Sequence, residues 1–119
     1  NLVDSQVMLG ALKGADFSVV KEPDQAEVIV VNTCSFIEAA KEESIETILE
    51  MAEFKNKGRC KTLVVSGCLP QRHAQDIEKE IPEVDLLIGT GQYQRITELL
   101  QEREASLARQ EIPKRTYVN

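Results

Sequence analysis

The sequence predicts an α/β protein in which a flavodoxin-like, doubly wound parallel sheet forms the middle of three layers. Two observations support this prediction. Short runs rich in β-branched and aliphatic residues, at 28–31 and 62–65, are typical of strands that are covered on both faces. Each run is followed by a turn and then by a longer segment of helical periodicity, and strands that alternate with helices build a parallel sheet.

Length and composition limit the class of protein. With 119 residues, of which 42% are hydrophobic and 29% charged, the chain is long enough for one domain with its own core. The net charge of −6 argues against a main role in binding phosphate backbones, so we expect no direct nucleic-acid binding, and it is compatible with a basic protein partner. No apolar run approaches the roughly 20 residues of a membrane span, and three cysteines in such a chain indicate a reduced, cytoplasmic location.

The first part of the chain predicts a helix over residues 1–12, because apolar residues recur there at spacings of three and four. A short strand is predicted over 17–20 and a turn over 22–25. A sheet of this class usually begins with a strand, and none is predicted before the first helix. We therefore expect the natural protein to extend upstream of Asn1 and to place the first strand of the sheet there.

The strand over 28–31 leads into a helix start. Asn32 and Thr33 end the apolar run, Cys34 follows, and Ser35 with Glu38 forms a capping box. This signature predicts a helix over 36–57 that ends at Gly58. Its inward face is predicted to contain Ile45, Ile48, Leu49 and Ala52, and its outward face Lys41, Glu42, Glu43, Glu46, Glu50 and Glu53.

The second half of the chain repeats this pattern. The strand over 62–65 leads into Ser66-Gly67-Cys68, and Pro70 is well placed to open a helix that Pro82 closes. A last strand is predicted over 84–88, with a turn at 89–91. A final helix is predicted after this turn. The apolar residues predicted to face inward are Ala74, Ile77 and Ile81 on the first of these two helices, and Tyr93, Ile96, Leu99 and Leu100 on the final one. After about Arg103 the chain is polar, so we interpret residues 1–103 as the domain and 104–119 as a linker.

The cysteines occupy different edges of the predicted sheet. Cys34 and Cys68 each follow a buried strand directly, and both therefore belong to the carboxyl edge, where ligands bind in open α/β sheets. Cys60 precedes its strand and belongs to the opposite edge. Spacing alone favours buried structural cysteines, because Cys34 and Cys68 are too far apart for a C-x-x-C metal motif and two thiols do not complete a four-coordinate site. His73 is more typical of a solvated side chain than of a ligand.

Several motifs occur in order along residues 1–100. They are Asn-Leu-Val-Asp-Ser with Met-Leu-Gly near the start, Val-Asn-Thr-Cys-Ser-Phe-Ile-Glu-Ala-Ala-Lys-Glu-Glu-Ser from residue 31, Ser-Gly-Cys-Leu followed by Gln-Arg from residue 66, Ile-Pro-Glu-Val from residue 81 and Gly-Thr-Gly from residue 89. Together they resemble the N-terminal domain of the methylthiotransferases, which are radical-SAM enzymes that insert sulfur into an unactivated C–H bond and methylate it. The first two motifs resemble the branch that modifies an aspartate of a small-subunit ribosomal protein.

The resemblance implies an auxiliary [4Fe-4S] cluster, which three cysteines of this domain hold in the family. By motif position, Cys34 and Cys68 are two of these ligands. The third lies in a Gly-Cys-Pro-Lys segment directly before the asparagine that is Asn1 here, and this segment is absent from the sequence. Cys60 matches no ligand position. Three protein ligands would leave one iron free to carry the sulfur that is transferred.

The resemblance also implies further domains. The family's C-x-x-x-C-x-x-C, which holds the second [4Fe-4S] cluster and serves the cleavage of S-adenosylmethionine, has no counterpart in this sequence. The implied partners are the radical-SAM and C-terminal substrate-gripping domains of the same parent chain and the ribosomal protein substrate. Residues 104–119 would then lead toward the radical-SAM domain, and we expect the chain alone not to be catalytic.

Three other functions stay open from the sequence. The chain could belong to a tRNA-modifying methylthiotransferase, whose sequences differ after Asn-Thr-Cys. It could be a thiol enzyme with Cys34 as nucleophile at a helix amino terminus, although no basic residue other than Lys41 lies near it in sequence. It could also be an interaction module with inert cysteines. Iron binding would distinguish the first from the other two, and fast alkylation of Cys34 would indicate the second.

Overall fold

The fold was analysed in a computed structural model that describes residues 7–13, 16–19, 22–33, 38–89 and 95–117. These residues form strands, helices and one short 3-10 turn. The strands are β1 (Val7–Lys13), β2 (Asp16–Val19), β3 (Val28–Thr33), β4 (Thr62–Gly67), β5 (Leu86–Ile88) and β6 (Thr116–Tyr117). The helices are α1 (Glu38–Ala52), α2 (Phe54–Lys57), α3 (Cys68–Glu80) and α4 (Ile96–Ala108), and the 3-10 turn is Pro23–Gln25.

The described strands form a single sheet in the order β2-β1-β3-β4-β5-β6. Strands β3, β4, β5 and β6 are parallel to one another, whereas β1 is antiparallel to both of its neighbours. The α/β class and the flavodoxin-like parallel sheet predicted from the sequence are confirmed for β3 to β6. The predicted strand over 17–20 is confirmed as β2.

The predicted helix over 1–12 is wrong where the structure describes it, because Val7–Lys13 is a strand. Residues 7–12 are mostly apolar, and a short apolar segment fits a helix or a strand equally well. The strand is formed because of its neighbour β3. Without β1, the edge of the buried strand β3 would leave its backbone N–H and C=O groups unpaired, and β1 provides their hydrogen-bond partners. The pairing runs from Val7 opposite Val31 to Gly10 opposite Val28.

The sheet carries a separate apolar layer on each face, which confirms the three-layer arrangement. One layer packs Ile29, Val31, Leu63, Val65 and Leu87 of the strands against Ile48, Ala52, Leu69 and Ile77 of α1 and α3. The other packs Val28, Val30, Val64, Leu86 and Ile88 against Ile96, Leu99 and Leu100 of α4. Because side chains alternate along a strand, each central strand contributes to both layers.

The predicted helix over 36–57 is two helices in the described residues, since α1 ends at Ala52 and α2 begins at Phe54. Gly58 is the C-cap of α2, as expected. Ile48 and Ala52 are buried, but Leu49 is 49% exposed, so its predicted burial is wrong. The reason is the position of Leu49 around the helix axis. Successive helix residues are rotated by about 100°, and the inward face of α1 is centred on a line through residues 45, 48 and 52, so Leu49 lies beside this face.

The segment after Arg103 contains regular structure. Helix α4 continues to Ala108, and β6 returns to the sheet, where Tyr117 pairs with Ile88 and packs against the α4 layer. Helix α3 begins at Cys68, two residues before the predicted start at Pro70, and the strand predicted over 84–88 is formed by Leu86–Ile88. Tyr93 lies outside the described residues. The division of the chain into a domain over 1–103 and a linker over 104–119 stays a prediction.

Asp85 joins the two helical layers at the amino edge of the sheet. Lys55 of α2 donates to its Oδ2 atom at 2.6 Å, and the backbone N–H of Leu63 donates to the same atom at 2.8 Å. From the other layer, Arg103 of α4 donates to Oδ1 at 3.1 Å. The side chains of Asp85 and Arg103 are 14% and 13% exposed, so this network is largely shielded from water.

Candidate functional site

The carboxyl ends of β3 and β4 lie side by side. In the parallel register Asn32 is opposite Ser66, and Thr33 is opposite Gly67. These last partners directly precede the two cysteines of interest, Cys34 and Cys68. Cys34 itself lies outside the described residues. The register therefore brings together the two strand ends from which the cysteines follow, as the sequence predicted for neighbouring strands.

Cys68 is the first residue of α3. Its thiol is free, and the residue is partly exposed. The amino end of a helix carries unpaired N–H groups and the positive end of the helix dipole, which favour a negatively charged ligand or side chain. The position at the carboxyl edge of a parallel sheet makes this thiol accessible to a ligand that binds there.

Gly67 shapes the turn between β4 and Cys68. Its φ of 102° and ψ of −150° belong to a region that residues with a side chain rarely adopt. A Cβ atom on this residue would lie 2.5 Å from the carbonyl oxygen of Thr33 and 2.8 Å from Oδ1 of Asn32. The absence of a side chain lets the end of β3 approach the start of α3. A glycine between a buried strand and a helix start is the signal that could have identified this role.

Thr33 connects the two neighbouring strand ends through its hydroxyl group. The Oγ1 atom donates to the carbonyl oxygen of Ser66 at 2.7 Å and accepts from the backbone N–H of Leu69 at 3.3 Å. Leu69 is the second residue of α3, whose N-cap residue, Gly67, has no side chain to perform this function. Thr33 therefore caps α3 from an adjacent strand. Sequence reasoning missed this role because the capping residue and the helix are separated by more than thirty residues.

Ser66 lies one residue before this turn. Its side chain is fully buried, and its Oγ atom has no hydrogen-bond partner among the residues that the structure describes. Its strand neighbours are Asn32, which is exposed, and Ile88, which is buried. The described part of the edge thus combines a buried hydroxyl, a glycine turn and a partly exposed thiol.

Cys60 does not belong to this site. It lies before the amino end of β4 and is 6% exposed, so its predicted place at the opposite edge is confirmed. Its Sγ atom donates to the carbonyl oxygen of Thr62 at 3.4 Å. Burial raises the pKa of the Cys60 thiol, and the nearby Lys55 ammonium offsets part of this effect. A buried, protonated thiol is a poor nucleophile and a poor metal ligand.

Two other predicted features were located. His73 lies in α3, has a non-helical φ of −129° and ψ of 30°, and its Nδ1 atom is 3.9 Å from Oδ2 of Asp76. The backbone N–H of Gly89 donates to the carbonyl oxygen of Tyr117 at 2.9 Å, whereas Thr90 and Gly91 lie outside the described residues.

Across the described residues, no group of three His, Cys, Asp or Glu side chains is arranged to hold a metal ion. None of the helices in these residues combines the length and the apolar composition of a membrane span.

The fold and this site define an α/β domain that presents a cysteine at the carboxyl edge of a parallel sheet, directly after a glycine turn. The chain belongs to a family described as Uncharacterized protein family UPF0004, whose profile matches residues 1–89. This match includes β1 to β5 and all three cysteines.

Its relatives agree closely in sequence. The chain is 54% identical over all 119 residues to the ribosomal protein uS12 methylthiotransferase RimO of Myxococcus xanthus, and covers 25% of that protein. It is 56% identical over 105 residues to the RimO of Anaeromyxobacter sp. strain K and 54% identical over 106 residues to that of Pelobacter propionicus, covering 22% and 24% of those proteins. The chain therefore spans about a quarter of the length of these curated relatives. No solved structure matches it.

Proposed function

We propose that this chain is the auxiliary-cluster domain of a methylthiotransferase that modifies an aspartate of ribosomal protein uS12. In this proposal the domain works with radical-SAM and C-terminal domains of a parent chain, in the cytoplasm, and is not catalytic alone. The relatives are named as uS12 methylthiotransferases and match residues along the whole chain. One structural observation carries the proposal: Thr33 and Gly67, the residues before Cys34 and Cys68, are register partners at the carboxyl edge.

The residues present fit an iron–sulfur cluster in part. Thiolates are the usual ligands of such clusters, and Cys68 offers a free, partly exposed thiol at an edge where ligands bind. Cys34 follows the neighbouring strand end and is proposed as the second ligand. The third ligand is proposed to come from a segment upstream of Asn1. Cys60 does not fit, because it is buried at the opposite edge.

The chain's own residues would hold and orient these ligands. Gly67 and the hydroxyl of Thr33 set the direction in which Cys68 leaves the sheet, since they fix the turn and the first turn of α3. The cluster, when bound, would supply the sulfur that is inserted at the β-carbon of the aspartate. Cleavage of S-adenosylmethionine and abstraction of hydrogen would belong to the radical-SAM domain with its own [4Fe-4S] cluster.

The first experiment measures iron and acid-labile sulfide in the full-length protein after anaerobic reconstitution. The variants are Cys34→Ala and Cys68→Ala, and Cys60→Ala is the matched control. We expect each of the first two to lose the share of iron and sulfide that belongs to one of two clusters, while the control keeps both. The visible absorption of the reconstituted protein should fall in the same variants.

Three results would contradict the proposal, in whole or in part. Iron and sulfide unchanged in Cys34→Ala and Cys68→Ala would show that these thiols hold no cluster. Fast alkylation of Cys34 alone, in a protein without iron, would instead support the thiol-enzyme alternative. If the cluster is present but modification occurs on tRNA rather than on uS12, the auxiliary-cluster role stands and the substrate assignment is wrong.

A further inference from the structure

A groove of about 290 Å³ lies between α1 and α3, on the face of the sheet that these helices cover. Its floor is apolar: Ile45 comes from α1, and Leu69, Ile77 and Ile81 come from α3 and its C-cap. Leu69, Ile77 and Ile81 are buried, while Ile45 is partly exposed. The three buried side chains therefore close the bottom of the groove, and Ile45 is the aliphatic side chain that a segment lying along α3 could contact.

The rim of this groove is acidic. Asp76 and Glu80 line it from α3 and are exposed, with 77% of the Asp76 side chain accessible. Among the described residues that line the groove there is no lysine or arginine, and His73 is the remaining titratable group. On α1, Glu42 and Glu46 are also exposed. An apolar floor with a rim of one charge sign is complementary to a segment that carries apolar and basic side chains.

The groove begins beside the proposed cluster site. Leu69, which lines it, directly follows Cys68 in the first turn of α3. Helix α3 has 13 residues and is therefore about 20 Å long. An extended segment of about six residues covers this length. A segment bound in the groove would run from the carboxyl edge of the sheet along α3.

We propose that this groove binds a basic, amphipathic segment of the protein substrate that flanks the modified aspartate. The inference rests on the proposed function, because it takes the substrate to be a ribosomal protein. Such proteins contact RNA phosphates through lysine and arginine, so they supply basic segments. In the complex, an apolar side chain of the segment packs on Ile45, and basic side chains pair with Asp76 and Glu80. The net charge of −6 on this chain would also attract a positively charged segment at long range.

The test uses the full-length protein and purified uS12 as the probe. The variant Asp76→Lys with Glu80→Lys replaces attraction at the rim by repulsion. We expect the Kd and the KM for uS12 to rise about tenfold, equivalent to about 1.4 kcal/mol, with kcat unchanged. The dependence of log Kd on salt concentration should also become shallower, since rim charges control it. The matched control, Glu83→Lys with Glu104→Lys, makes the same change in charge at exposed residues outside the groove and should bind as the parent does.

Each other outcome has a defined meaning. Equal rises in both variants would attribute the effect to net charge and overturn the groove proposal. An unchanged KM in the groove variant, with methylthiolation intact, would overturn the inference and leave the proposed function standing. A lower melting temperature or lost cluster with unchanged uS12 affinity would show that another part of the parent chain covers the groove. Absence of uS12 binding by the parent protein also overturns the inference, while iron content and methylthiolation assays judge the proposed function separately.

Discussion

The carbonyl oxygen of Thr33 lies 2.5 Å from the position that a Cβ atom of residue 67 would occupy, and residue 67 is Gly67. The backbones of two parallel strands thus approach each other closely at their ends, where each strand is followed in sequence by a cysteine. Side chains are excluded from this position twice, by the positive φ and by the backbone of β3. The turn into Cys68 therefore depends on a glycine.

Replacement of Gly67 by alanine should lower the free energy of unfolding by about 3 kcal/mol, because strain at a positive φ and overlap with backbone atoms add. Urea denaturation measures this loss. The control is Gly58→Ala, since φ at Gly58 is −133° and the Cβ contacts there begin at 3.1 Å. We expect a smaller loss in the control, and equal losses would contradict the role assigned to the turn. Reconstituted iron should decrease in Gly67→Ala more than in Gly58→Ala.

The hydroxyl of Thr33 should contribute more to stability than its methyl group. Thr33→Val keeps the shape but removes the cap of α3, leaving the N–H of Leu69 and the carbonyl of Ser66 without this partner. We expect a loss of about 2 kcal/mol in the free energy of unfolding. Thr33→Ser retains the hydroxyl and should lose about 1 kcal/mol or less. If the serine variant were as unstable as the valine variant, packing rather than capping would be the function of Thr33.

Asp85 should be one of the most sensitive polar positions at the amino edge. Asp85→Asn removes the charge that Lys55 and Arg103 both contact, and leaves these cations largely shielded from water. Because breaking a shielded ion pair leaves an uncompensated charge, we expect a loss of about 3 kcal/mol. The matched control is Glu53→Gln, whose exposed pair with Lys57 should contribute about 0.5 kcal/mol or less. Similar losses in thermal or chemical denaturation would contradict the network described here.

Stability should fall at alkaline pH partly through Cys60. Burial raises the pKa of this thiol above its ordinary value of 9.0, so the native state keeps a proton that the unfolded chain releases. The contribution of the protonated Cys60 thiol to the free energy of unfolding is therefore complete below about pH 9 and decreases as the pH rises further. The free energy of unfolding of Cys60→Ala should show a smaller decrease over this range than that of the parent. Tyr117, whose pKa is also raised by burial, remains in both proteins and cancels in the comparison.

Alkylation provides a second check on the thiols. In the native protein Cys68 should react with iodoacetamide well before Cys60, because Cys68 is partly exposed and Cys60 is 6% exposed. Mass spectrometry of digested samples assigns the modified residue. Reaction of Cys60 at the same rate would indicate that the amino edge of the sheet opens in solution.

Strands β3 and β4 and helices α3 and α4 could be predicted because their patterns are local. A run of apolar residues followed by a turn and a helix start has the same meaning in most α/β proteins. The same reasoning separated Cys60 from Cys68, since position relative to a strand decides the sheet edge. The motifs that resemble the methylthiotransferases lie along the same elements, and they led to the family to which the chain belongs.

Other features could not be predicted, because they depend on contacts with residues that are far away in the sequence. Residues 7–12 had an apolar pattern compatible with a helix, but pairing with Val28–Thr33 makes Val7–Lys13 a strand. Leu49 has the spacing of a core residue, yet lies at the margin of the inward stripe of α1. Asp85 gave no signal in the sequence, because its partners are 18 to 30 residues away and converge only at the sheet edge.

The sequence by itself determined the α/β class, the order of the central strands and helices along the chain, and the sheet edges to which Cys60 and Cys68 belong, because these follow from local periodicity and chain direction. The tertiary structure alone decided which strand covers the edge of β3, which hydroxyl caps α3, and why residue 67 has to be glycine. Each of these depends on two chain segments that meet only after folding. Backbone groups that one segment leaves unpaired are satisfied by whichever distant segment the sheet brings beside it.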